Sequence, residues 1–184
     1  MSIDSKEAAS ALSDIDSMAR RVRQSMIYNL SSQILIMWGV LVFAGHIVAN
    51  FLPRSGLLIW LAVTVLGSMG WFAISAWTRP RTVVQSFDAR FFTAFLLFLG
   101  FGYLWTLVLG HFTPRQLDTF WPLYFMLVYT IAGLWVGLAF VAIGLGITAL
   151  TLVGYFLLGD WFHLWMAVVN GGGLVLGGLW MRRN

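Results

Sequence analysis

Residues 120–159 read FWPLYFMLVYTIAGLWVGLAFVAIGLGITALTLVGYFLLG, and no charged side chain lies between Asp118 and Asp160. One helix of about 40 residues, rising 1.5 Å per residue, would be about 60 Å long, twice a hydrocarbon core of about 30 Å. The stretch is therefore predicted to be two membrane spans, 119–136 and 139–158, joined by an uncharged turn near Gly137. Only structures that satisfy their own backbone hydrogen bonds survive in lipid, and runs of this length do so as helices.

Outward from this stretch the pattern repeats. Toward the N-terminus lie apolar runs at 33–52, stopped by Pro53 and Arg54, at 56–77, stopped by Arg79, Pro80 and Arg81, and at 91–110, closed by His111, Pro114 and Arg115. Toward the C-terminus a sixth run, 161–181, ends at Arg182 and Arg183. The expected fold is all-α: a polytopic membrane protein with a six-helix transmembrane bundle, 33–184, preceded by a cytoplasmic amphipathic helix in residues 1–32. With the N-terminus inside, Lys6, Arg20, Arg21, Arg23, Arg79, Arg81, Arg90, Arg182 and Arg183 fall on the inner side, and only Arg54 and Arg115 outside. That bias predicts both termini in the cytoplasm. Trp60, Trp105, Trp121, Trp161 and Trp165 then fall near the outer interface, and Trp38, Trp77 and Trp180 near the inner one, as membrane-anchoring belts do. Gly70-Trp71, Gly133-Leu134-Trp135 and Gly178-Leu179-Trp180 recur late in the second helix of each hairpin, a pattern that two abundant residue types also produce by chance.

Composition excludes several function classes. Of the 184 residues, 60% are hydrophobic and 10% charged, against about 25% charged in soluble domains. The net charge of +4 belongs to the gaps between spans rather than to one face, so nucleic acid is not an expected partner. There is no cysteine, hence no disulfide framework, thiolate nucleophile or thiolate metal site. The first 30 residues contain no apolar core of a signal peptide. The single lysine, Lys6, stands outside the spans, so no Schiff base forms within the bundle. No Asp, Glu, Lys or Arg lies deep in a span, which removes the carboxylate that many ion-coupled transporters use. Phosphate-binding loops, zinc-protease signatures and nucleophile elbows are missing from the sequence, and no cofactor is identified.

Residues 4–27 read as the amphipathic helix. Asp4 with Glu7 three residues on forms a potential capping box. Ala8, Leu12, Ile15, Ala19, Val22 and Met26 recur at alternating spacings of four and three and so share one stripe. Acidic residues come early and arginines late, an order that suits the helix dipole. Such a helix is expected to lie on the inner leaflet, where its basic end meets anionic head groups, or to pair with a cytosolic partner or another copy through its heptad-like stripe.

Polar chemistry is confined to a few places. His46, His111 and His163 all fall toward the outer side, with Arg115, Asp118 and Asp160 near them. His46 and Asn50, four residues apart, share a helix face. These residues, if they converge, offer a metal ligand set, a reader of external pH or an entry for a polar solute. The plainer expectation is that His111, His163 and the aspartates are interface residues and that His46 bonds a neighbouring helix. Asn170-Gly171-Gly172-Gly173 is the second candidate, midway along the sixth run. Three glycines weaken a helix by about 1 kcal/mol each, so this segment is either unwound around a substrate or packed closely against a helix. For packing, Gly144, Gly146 and Gly154 are the expected partners, and the same glycine-rich spans offer a surface for homo-oligomers.

The segments ILIMWGVL at 34–41 and GLWMRR at 178–183 resemble small, uncharacterised six-span inner-membrane proteins of bacteria. The likeness is one of general pattern; it implies a multi-pass bacterial inner-membrane protein and transfers no activity or site residue. The leading functional reading is binding or facilitated passage of a small solute through the bundle, using His46, Asn50, His111, Asp118, Asp160, His163 and Asn170. The alternatives are a regulatory or scaffold protein acting through the N-terminal helix, and an enzyme or metal-binding protein using the histidines. The enzyme reading is the weakest, because no acid–base pair is evident.

Overall fold

The computed structural model describes residues 5–77 and 89–183. Asp4, Arg79 and Arg81, which carried sequence expectations, lie outside them. Among the described residues all regular structure is helical. The elements are α1 (Ser5–Phe51), a 3-10 turn (Pro53–Ser55), α2 (Gly56–Trp77), α3 (Ala89–Val108), α4 (Pro114–Val136), α5 (Leu138–Leu157), α6 (Phe162–Met166), a π-turn (Ala167–Gly172) and α7 (Gly173–Arg183). Five segments are long and apolar enough to cross a membrane: Ile27–Phe51, Pro53–Trp77, Pro114–Val136, Leu138–Leu157 and Phe162–Arg183. In α3 a shorter apolar stretch, Leu96–Val108, is described. The chain is a multi-pass helical membrane protein.

The amphipathic segment and the first span are not separate helices. α1 runs unbroken for 47 residues, about 70 Å at 1.5 Å per residue. The local sequence explains this. No proline occurs before Pro53 and the first glycine is Gly39, so nothing between 5 and 38 interrupts the ladder. Polar residues near the expected boundary bond sideways instead of capping: the Ser32 hydroxyl donates to the Gly178 carbonyl at 2.8 Å. The helix stops where Pro53 disfavours helical backbone at the residue before it; Leu52 has φ −126° and ψ 63°.

α4 and α5 form a hairpin turned on one residue. Thr113 opens α4 with a capping box: its hydroxyl accepts from the Gln116 amide, and the Gln116 side chain accepts from the Thr113 amide at 2.8 Å. Pro114 occupies the first turn, where its missing N–H is harmless. The helix ends at Gly137, whose φ of 152° and ψ of 157° suit glycine alone, and α5 begins at the next residue. A Cβ on Gly144 would collide with the Thr130 hydroxyl and approach the Met126 carbonyl at 2.9 Å, so the lack of a side chain sets the interhelical distance. Lipid is as apolar as leucine, so burial of apolar surface drives little association here, and close van der Waals packing takes its place.

The core lies between α1, α4, α5 and the last span. Leu35, Met126, Phe140, Ile143, Ile147, Val169, Leu174 and Met181 form it. α2 packs on α1, with Gly67 under the Trp38 ring. α3 leans on α4, where Phe98 stacks on Tyr124 at 4.1 Å and the Tyr124 hydroxyl donates to the Phe98 carbonyl at 3.0 Å.

The glycine triplet packs, but not against the expected partners. A Cβ on Gly171 would lie 2.5 Å from the Phe43 Cα, and one on Gly39 would lie 2.7 Å from the Gly171 carbonyl oxygen. Backbone meets backbone between α1 and the last span. α5 contributes Ile143 and Ile147, which face Gly177 and Gly173. Of the α5 glycines, Gly144 faces α4, Gly154 makes room for the Trp165 ring, and a Cβ on Gly146 would meet nothing within 4 Å. The segment is not unwound either: it is a π-turn, in which the Gly173 amide donates to the Val168 carbonyl five residues back.

The π-turn sets a register. The two helices are antiparallel, with Ser32 at Gly178, Gly39 at Gly171 and His46 beside His163. Steps of seven residues along α1 are matched by seven residues on the last span and then by eight. A π-turn fits one additional residue into a helix, and this one lies between Gly171 and His163. In a regular α-helix the position reaching His46 would be one residue displaced, turned by about 100°.

Candidate functional site

At the end of the bundle where the loops 52–55, 109–113 and 158–161 meet, four helices bring polar side chains together. α1 supplies His46 and, one turn on, Asn50. α2 supplies Trp60, α4 supplies Asp118, and the first turn of α6 supplies His163. His46 is fully buried. The Trp60 ring meets it edge-on at 4.8 Å and 75°, and the His163 ring lies 6.4 Å away. Asp118 lies beside the Trp60 indole. Its Oδ2 is 3.6 Å from His163 Nδ1, a distance for charge pairing and too long for a hydrogen bond.

Both ring nitrogens of His46, and Nδ1 of His163, are buried without a hydrogen-bond partner. Most buried polar atoms in folded proteins are paired, and leaving one unpaired costs about 1–3 kcal/mol. Three such atoms within one cluster therefore mark a place where the protein alone leaves its hydrogen bonding incomplete.

The cluster borders an open cleft of about 440 Å³ lined by Asn50, Thr113, Arg115, Asp160, Phe162 and His163, among others. The His163 side chain is 30% exposed, so it joins the buried cluster to the cleft. Asp160 is exposed in the loop that follows α5. Arg115 is already engaged. Its Nη2 donates to the carbonyls of Gly154 at 3.2 Å, Tyr155 at 2.6 Å and Leu158, capping the end of α5, where positive charge is favourable. The guanidinium also sits 4.8 Å from the Phe162 ring centroid and 5.5 Å from that of Tyr155, a stacking geometry that holds the cation in place. With the cation committed to α5, carboxylates, imidazoles and an amide remain to meet a solute.

The sequence candidates thus divide. His46, Asn50, Asp118, Asp160 and His163 gather at or beside one cleft. His111 does not join them: it is exposed in the loop between α3 and α4, and it is not among the cleft residues. Asn170 belongs elsewhere, seven residues and about 10 Å along the helix axis from His163. It is buried, with its amide nitrogen 3.4 Å from both the Thr151 hydroxyl and the Met166 sulfur. Sequence reasoning missed Trp60, which reads as a membrane-interface anchor but packs on His46 and Asp118. It also missed that Arg115 is a helix cap. No spacing could have revealed either, because the partners lie on other helices.

Chemically, the cluster offers two imidazoles and a carboxylate that can exchange hydrogen bonds or protons with a small molecule. The Thr113 hydroxyl is engaged with the Gln116 amide, 3.3 Å away. Among the described residues, no group of three or more His, Asp or Glu side chains is placed to hold a metal ion. No family model, curated protein or solved structure matches this chain.

Proposed function

We propose that this protein resides in a bacterial inner membrane, with both termini in the cytoplasm, and binds a small polar solute at the loop-end cleft. The observation that carries this reading is His46, wholly buried with both ring nitrogens unpaired, beside His163 and the cleft. A solute entering past Asn50 and Asp160 reaches His163, and through it the unpaired group behind. Two aspartates and a committed arginine favour a solute that donates hydrogen bonds or carries positive charge, such as a small amine.

Binding fits the geometry better than passage through the bundle. Beyond the histidines the seam closes on Gly39, Gly171 and Phe43 backbone, and Asn170 is satisfied by Thr151. Hydroxyls that could line a path bond within their own helices: Thr64 to the Trp60 carbonyl, Thr106 to Tyr103, Thr119 to Arg115 and Thr130 to Met126. The scaffold reading is favoured separately by the exposed stripe on α1.

The test is thermal unfolding of the protein in lipid nanodiscs against a panel of small amines, amides and polyols. A solute that binds the native state raises the transition midpoint. The expected outcome is a solute-dependent rise that is lost in His163→Leu and Asp160→Asn. No rise across the panel, or the same rise in both variants, removes the cleft as the site. The chain lacks cysteine, so Thr113→Cys reports orientation: an impermeant maleimide should label it from the periplasmic side of spheroplasts.

A further inference from the structure

α1 extends beyond the membrane, and the apolar side chains described on this extension are exposed. From Ser5 to the start of the Ile27–Phe51 span, 22 residues project about 33 Å along the helix. On this projection Leu12 is 63% exposed, Ile15 65%, Met18 65% and Val22 55%. A lone helix of this length is marginal in water, and helices gain most of their stability by packing an apolar face. We infer that this face pairs with the same face of a second copy, in a parallel, in-register coiled coil on the aqueous side of the membrane.

Three features of the chain select that occupant. The first is period. Ala8, Leu12, Ile15, Ala19, Val22 and Met26 alternate as the d and a positions of a heptad over three repeats. The second is charge. Lys6, Glu7, Asp14, Arg20 and Arg21 fall at b and c positions, and Asp16 and Arg23 at e. The g positions that would face those e residues hold Ala11 and Met18. In-register pairing therefore opposes no like charges. The third is continuity with the span. The helix has no break at the membrane boundary, so its stripe is held away from the bilayer plane and cannot lie in the lipid interface. Any other copy in the same membrane is held parallel and nearby, which raises its effective concentration, and a two-fold axis along the membrane normal closes the pair. Farther along the same helix Val40, five full turns after Val22, is 56% exposed as well.

The chain has no cysteine of its own, so single cysteines report the pairing directly. Paired a and d positions lie within disulfide range. Full-length Leu12→Cys and Ile15→Cys, purified, reconstituted in vesicles and oxidised, should form a disulfide-linked dimer at least about tenfold faster than Ser17→Cys at the outward f position. Equal rates at all three, or no dimer at Leu12 and Ile15, overturn the inference. Leu12→Asp combined with Ile15→Asp should convert a dimeric mass in nanodiscs to a monomeric one with the bundle's thermal transition retained. A wild-type chain that is already monomeric, or a variant that stays dimeric, overturns it too. A lipid-phase quencher reaching a fluorophore at residue 12 would assign the stripe to the membrane surface instead.

Discussion

Two levels of one seam behave in opposite ways. Where Gly39 meets Gly171, α1 and the last span touch backbone to backbone and leave no room for a methyl group. Two turns toward the loops, the same helices hold His46 and His163 apart at 6.4 Å with their buried nitrogens unpaired. The first level is closed by small residues, as lipid-embedded helices require. At the second, polar groups have been taken from water without a full set of partners. A membrane protein gains nothing by keeping such a level unless something else completes it, and that difference is what points to the loop end rather than to the midplane.

The largest way to break the comparison is to force the closed level open. Gly171→Leu drives a side chain into the Phe43 backbone, which neither helix can yield. Overpacking of well-packed cores costs about 1–3 kcal/mol or more, and here the upper end is expected, read as loss of the folded form in thermal unfolding.

A subtler break separates the two levels. Deleting Gly172, where an added Cβ would meet nothing, should convert the π-turn to regular helix. The seam at Gly39 and Ser32 would persist, whereas α6 would turn by about 100° and carry His163 away from Asp118. An Asp118→Cys background reports this. Cadmium should bridge the thiolate and His163 and raise the unfolding midpoint in the intact chain. It should have no such effect after the deletion. Equal stabilisation in both would show that the π-turn does not set the register.

The smallest effects sharpen the contrast. Asn170→Leu removes a satisfied buried amide and leaves the Thr151 hydroxyl unpaired, and should lower stability by about 1 kcal/mol. His46→Leu replaces an unpaired group with an apolar one of similar size and should leave stability unchanged or slightly higher, with solute-dependent stabilisation abolished. Chemical denaturation in the same detergent compares the two directly. A His46→Leu loss as large as that of Asn170→Leu would mean His46 is already satisfied in the native protein.

Much of the architecture was legible in the chain because membrane solvation is a strong and local constraint. An uncharged run twice the thickness of a bilayer has to fold back, and Gly137 is a residue able to take the required backbone. The continuity of α1 was less legible: polar residues at 29–33 look like a boundary, yet no helix-breaking residue accompanies them. The glycine triplet signalled close packing, but its partner on α1 could not be read from spacing along one helix. Of the site, the residue types and the common end were visible in sequence, as was the shared face of His46 and Asn50. The separation of Asn170 from the others was visible as well, since it stands midway along its run; that of His111 was not.

By itself the sequence determined the environment, the helical class and the absence of ionic groups deep in the spans, because each follows from local composition over twenty residues or fewer. The tertiary structure decided which helices touch and at what register. It placed Trp60 beside His46, committed Arg115 to the end of α5, and used one additional residue in the π-turn to turn His163 toward His46. Those outcomes depend on contacts between residues far apart in the chain, where the side chain on one helix is answered by a backbone or a vacancy on another.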